Sequence, residues 1–146
     1  MIIVVGVDDT EHSIKVLEHA IQVAQQRQAM LHVVHVFHLP PTVTAGYGIF
    51  PVDVDKLAAA ERRRVWEPLQ GHLARAHVPV ETVNLEGYPP DALVAYVKNV
   101  AAGLLVVGTR GRGELASMVL GSTSHRAIHL SPCDVLVVKP QAPPPA

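Results

Sequence analysis

Short β-branched runs alternate with amphipathic helical patterns along nearly the whole chain, and this alternation restricts the fold more than any other feature. Ile2 to Val7 is almost continuously apolar, as a strand buried on both faces must be. A helix follows from about Glu11 to Arg27, where Ile14, Leu17, Ile21 and Ala24 recur at spacings of three and four. Leu31 to Leu39 reads as a second strand, stopped by Pro40 and Pro41. The glycines and proline between Thr42 and Pro51 make a loop, and Asp53 is placed to cap a helix over Val54 to Ala76. Pro68 falls inside that pattern and predicts a kink or two helices. A third strand is expected over Val78 to Leu85, a turn at Gly87 to Pro90, and a helix from Asp91 to about Val100. Leu104 to Val107 and Val135 to Val138 are the last two strands, with a helix from about Ser122 to Leu130 between them.

The resulting β-α-β-α-β-α-β-α-β order requires α/β architecture: a mostly parallel sheet with helices on both faces. The 146 residues suffice for one such domain, expected over residues 1–139. Residues 140–146 form a Pro-rich tail, read as mobile and without chemistry. A formal net charge of -1 gives no electrostatic footprint for nucleic acid or an anionic membrane. No apolar run approaches the roughly 20 residues that span a bilayer. The N-terminus lacks a signal peptide's basic start, and Cys133 has no second cysteine to pair with. The expected setting is the cytoplasm.

In open parallel sheets ligands bind beyond the carboxyl ends of the strands. The chemistry-bearing segment lies there. Gly108-Thr109-Arg110-Gly111 is followed by nine residues and then by Gly121-Ser122-Thr123, all between a strand and a helix. Glycines admit positive φ and close approach of backbone N–H groups to an anion. Ser122 and Thr123 add hydroxyls at a helix N-terminus, whose dipole favours negative charge. Arg110 and Arg112 add charge at the rim. These parts would compose a phosphate cradle, and taken alone the same spaced glycines fit equally a turn-rich connection with no ligand. The motif is not a Walker loop, since no lysine follows Gly121, and it is not the dinucleotide fingerprint.

The spacing Gly108-x-x-Gly111-x9-Gly121-Ser122 resembles the nucleotide-binding signature of the universal stress protein family, in its ATP-binding branch. The resemblance extends to about Lys139. It includes Val5-Gly6-Val7-Asp8, Leu31 to Val36, Gly87-x-Pro89, Leu104 to Arg112, and Ser131-Pro132-Cys133 before the last strand. Asp9-Thr10, Gly103, Asp134 and Pro68 depart from the common family pattern. The resemblance implies a five-stranded sheet in the order 3-2-1-4-5, Rossmann-like and similar to adenine nucleotide alpha hydrolases. It implies ATP with Mg²⁺ as the ligand. Gly108, Gly111, Gly121, Ser122 and Thr123 would hold phosphates and ribose. Asp8 would accept a hydrogen bond from the adenine, Val36 would offer backbone to its edge, and Val7 would line its pocket.

From the residues alone, Asp8 reads first as a cap for the first helix, a task for which Asp9 or Thr10 could compete. Two further functional readings stand beside an ATP-binding stress-response or signalling module. One is a nucleotide-dependent enzyme, at most slow in ATP hydrolysis, since no acid, base and nucleophile group is legible beside the loop. The other is a dimerisation module that no longer uses nucleotide. Val135 to Val138 is as apolar as a central strand, yet the implied order puts it at a sheet edge. Such edges are covered or paired, which points to a homodimer through this strand.

The nine histidines offer a competing metal reading. Strand alternation places His32 and His38 on one face and His35 on the other, so the three cannot converge. His125 and His129 are four apart on a helix and share a face, with no further ligands marked. Surface or packed histidines are the expectation.

Overall fold

The computed structural model describes residues 1–39, 53–109 and 120–140. Five strands form one parallel sheet: β1 (Ile2–Val7), β2 (Met30–Phe37), β3 (Val80–Glu86), β4 (Leu104–Gly108) and β5 (Asp134–Val138). Their spatial order is β3-β2-β1-β4-β5. The chain steps outward from β1 through β2 to β3, then returns across β1 to β4 and β5. The reversal lies between β1 and β4, which pair with Ile3 beside Leu104 and Val5 beside Val106. On the other side of β1, Val7 is level with His35 of β2.

Helices cover both faces. α1 (His12–Arg27), α2 (Val54–Trp66) and α3 (Gln70–Ala74) lie on one side. There Val16, Leu17, Val65 and Leu69 pack against Ile3, Val5, Leu31, Val33 and Val106. α4 (Pro89–Asn99) and α5 (Ser122–Leu130) lie on the other. There Leu93, Val97 and Ala127 meet Val4, Val34, Val36, Leu105 and Val107. Central residues therefore have no solvent-facing side: Ile3, Val4 and Val5 are all 0% exposed. This is why β1 reads as a continuous apolar run rather than an alternating one.

Several element ends differ from expectation for local reasons. The predicted pattern over 54–76 divides at Pro68, where a 3₁₀ turn, Glu67–Leu69, separates α2 from α3. Proline lacks the N–H that would continue the α ladder. β3 begins at Val80 rather than Val78, after Pro79 has given its carbonyl to the N–H of Leu31. α4 begins at Pro89, two residues before the expected start, because proline's fixed φ suits the first turn of a helix. The segment expected as a loop, 42–51, and residues 141–146 of the tail lie outside the described residues. Among the described residues, no helix is long and apolar enough to cross a membrane.

Candidate functional site

The reversal in strand order brings two exits together at the carboxyl edge of the sheet. One is Val7-Asp8 at the end of β1, and the other is Gly108-Thr109 at the end of β4. Val36 lies one residue beyond the Val7–His35 pair, on β2. Val7 is buried in the α1-side core and Val36 in the α4-side core. Of the predicted contacts, Val7, Asp8, Val36, Gly108, Gly121, Ser122 and Thr123 are all on this edge or on the start of α5. Arg110, Gly111 and Arg112 lie outside the described residues.

Asp8 organises the β1–α1 connection. Its Oδ1 accepts the Thr10 N–H at 2.9 Å, the Thr10 hydroxyl, and the Ser13 hydroxyl at 2.8 Å. Its own N–H donates to Ser13 Oγ at 2.8 Å. The bond two residues on is an Asx turn. Asp8 is thus not the helix cap: that position falls to Glu11, which makes no side-chain capping bond. The carboxylate locks the loop through one oxygen.

Gly108 needs its missing side chain for packing. A Cβ there would sit 2.9 Å from His12 Cδ2 and 3.2 Å from Val16 Cγ2. The His12 ring crosses the strand end and its Nε2 donates to the Val138 carbonyl at 2.8 Å. Since the partner is a carbonyl, the ring carries a proton on Nε2. His12 therefore joins the start of α1 to the end of β5 across Gly108. Sequence reasoning did not find it, because the contact spans 126 positions and has no local signature.

Thr109 joins β4 to both neighbours. Its N–H donates to the Val138 carbonyl at 3.2 Å, and its carbonyl accepts the Gly121 N–H. Ser124 Oγ lies 3.2 Å from the same carbonyl and 3.0 Å from that of Gly121. These bonds pull the N-terminus of α5 down onto the end of β4. Gly121 is the N-cap with φ -74° and ψ 171°. That is extended backbone open to any residue, so positive φ is not the reason for glycine here. The helix ladder starts with the His125 N–H bonding the Gly121 carbonyl, and the first turn of N–H groups precedes it.

A second polar group lies beneath α2. His35 is 2% exposed and its Nε2 is 3.8 Å from Glu61 Oε1. Burial pushes its pKa below the ordinary imidazole value of 6.5, and Glu61, Asn84 and Asp8 only partly offset this. Asn84 in turn accepts the Trp66 indole N–H at 2.9 Å. A lowered native pKa means the unfolded chain binds protons more strongly. The stability due to neutral His35 is full above pH 6.5 and declines as pH falls toward the lower folded pKa. Urea midpoints measured at pH 7.5 and 5.5 should therefore drop more for wild type than for His35→Gln. Equal drops would show that His35 does not carry this dependence.

The remaining histidines follow strand and helix geometry. His32 Nδ1 is 2.9 Å from the Tyr96 hydroxyl on the α4 side, opposite the face that His35 takes. His38 Nδ1 donates to the Gly87 carbonyl at 3.1 Å. His125 and His129 stack edge-on with ring centres 4.8 Å apart. Among the described residues, no three His, Cys, Asp or Glu side chains are grouped to hold a metal ion.

This is an open α/β domain with a candidate ligand edge at its strand-order reversal, beneath the N-terminus of a helix. A sequence model of the universal stress protein family matches residues 1–139. The chain belongs to that family. It is 32% identical over 142 residues to universal stress protein YxiE of Bacillus subtilis, covering 92% of this chain and 96% of that one. Its fold matches universal stress protein UspA of Lactobacillus plantarum at a TM-score of 0.76, with 22% identity over 94% of this chain and 97% of that one. It also matches a universal stress protein solved in complex with cAMP, with a TM-score of 0.70 and 26% identity over 94% of this chain and 96% of that one.

Proposed function

We propose that the chain is an ATP-binding stress-response or signalling module that acts by binding rather than by catalysis. The observation that carries this reading is the Thr109 carbonyl, which accepts the Gly121 N–H and so sets the start of α5 against the end of β4. A helix N-terminus at a strand-order reversal is where open α/β sheets take phosphates. In this reading Gly108, Gly111, Gly121, Ser122 and Thr123 hold phosphates and ribose, with Arg110 and Arg112 at the rim. Asp8 accepts a hydrogen bond from the adenine, Val36 offers backbone to its edge, and Val7 lines its pocket. Mg²⁺ travels with the phosphates, keeping most of its waters. The relative solved with cAMP supports an adenine nucleotide as the ligand class. No catalytic residue is assigned, and ATP hydrolysis is at most slow. We place the module in the cytoplasm, where Cys133 stays a thiol. We also propose a homodimer through β5.

Competition titrations of ATP, GTP and cAMP on wild type and Asp8→Ala test the adenine assignment. Wild type should prefer ATP to GTP, and the variant should lose most of that preference. The variant should also lose about 1–2 kcal/mol of stability, because the bonds from Thr10 and Ser13 lose their acceptor. An unchanged base preference in a destabilised variant would confine Asp8 to its loop-locking role. Tighter binding of cAMP than of ATP would make the cyclic nucleotide the ligand.

A further inference from the structure

Thr109, which follows Gly108, has a polar atom that the described residues do not use. Thr109 is 4% exposed, and its buried Oγ1 has no hydrogen-bond partner among the described residues. Both of its backbone groups are satisfied, the N–H by Val138 and the carbonyl by Gly121 and Ser124. The hydroxyl alone is left. β4 ends at Gly108, whose Cβ position faces His12 and Val16, and Thr109 follows at the junction where its own carbonyl anchors the start of α5. A buried hydroxyl without a partner is costly, and valine would fill the same volume without that cost.

We propose that the Thr109 hydroxyl is a phosphate contact, donating to an oxygen of the bound nucleotide beneath the N-terminus of α5. The inference rests on the nucleotide reading above and adds a residue to it. A hydroxyl donates one hydrogen bond to an anionic oxygen, and a bond to a charged group is stronger than a neutral one. The ligand supplies the acceptor that the described residues do not. Thr109 is then a specificity element for a phosphorylated nucleoside over the bare nucleoside.

Thr109→Val and Thr109→Ser separate this role from a structural one. ATP and adenosine are titrated into wild type and both variants, and each nucleotide-free protein is melted. Thr109→Val should bind ATP about tenfold or more weakly, with adenosine affinity unchanged. Thr109→Ser should stay close to wild type. Without nucleotide, Thr109→Val should melt at or above the wild-type temperature, because an unpaired buried hydroxyl is gone. A Thr109→Val protein that binds ATP as wild type does would overturn the proposal. So would one that is less stable without nucleotide or fails to fold, since the hydroxyl would then serve a bond within the protein. An equal loss for adenosine would move the contact away from phosphate and refute the assignment. A wild type that binds no adenine nucleotide would overturn the nucleotide reading itself, and this inference with it.

Discussion

Valine at position 121 is expected to weaken ATP binding by about tenfold or more in a protein that remains folded. The backbone at Gly121 has φ -74° and ψ 171°, which valine adopts without strain. Its N–H still reaches the Thr109 carbonyl, so the junction between β4 and α5 survives. Losing glycine at an N-cap for a β-branched residue costs about 1 kcal/mol at most. What changes is space. A branched side chain now stands at the helix start, where the phosphates are proposed to approach the backbone. Calorimetric titration gives the affinity, and a thermal melt verifies the fold. Equal ATP affinity in wild type and Gly121→Val would remove Gly121 from the phosphate site. A variant that also unfolds would show that glycine there serves packing.

The second large effect concerns the sheet edges, which differ in chemistry. β3 carries Glu81, Thr82, Asn84 and Glu86, and its charges deter pairing with another chain. β5 reads Asp-Val-Leu-Val-Val, with Val135, Leu136 and Val137 only half buried. In a parallel ladder the N–H and C=O of one residue point the same way. The Val138 carbonyl accepts the Thr109 N–H, so Val138 and, by alternation, Leu136 face β4. Val135 and Val137 therefore direct their backbone groups to the open edge. Val137→Pro removes an edge donor and leaves the β4 ladder intact, whereas proline at 136 would damage the sheet itself. Light scattering at micromolar concentration should report a dimer for wild type and a folded monomer for Val137→Pro. A monomeric wild type, or a folded variant that stays dimeric, would refute pairing through β5.

Much of the architecture was legible because each central strand is buried on both faces. Ile2 to Val7 and Leu104 to Val107 could be read from apolar continuity alone. Pro68 announced the break between α2 and α3. Pro89 and Pro90 misled in the other direction: as a turn signal they hid the first turn of α4, which tolerates proline. The spacing Gly108-x-x-Gly111-x9-Gly121-Ser122 singled out the junction between β4 and α5. The particular roles were less accessible. The spacing marks Gly108 for backbone approach to an anion, and the His12 ring packed beside it is a second reason for glycine that the sequence does not display. The sequence offers Asp8 as a cap or an adenine contact, and its bonds to Thr10 and Ser13 form an Asx turn that neither reading contains. His12, Thr109 and His35 depend on contacts between elements far apart in sequence. Their environments exist only once the sheet is assembled.

The proposed ligand of the carboxyl edge between β1 and β4 is an adenine nucleotide held by its phosphates. Calorimetric titration of ATP with Mg²⁺ into nucleotide-free protein, with AMP titrated in parallel, is the deciding experiment. One ATP per chain should bind saturably and more tightly than AMP. Absence of saturable binding, or AMP bound as tightly as ATP, would contradict this assignment.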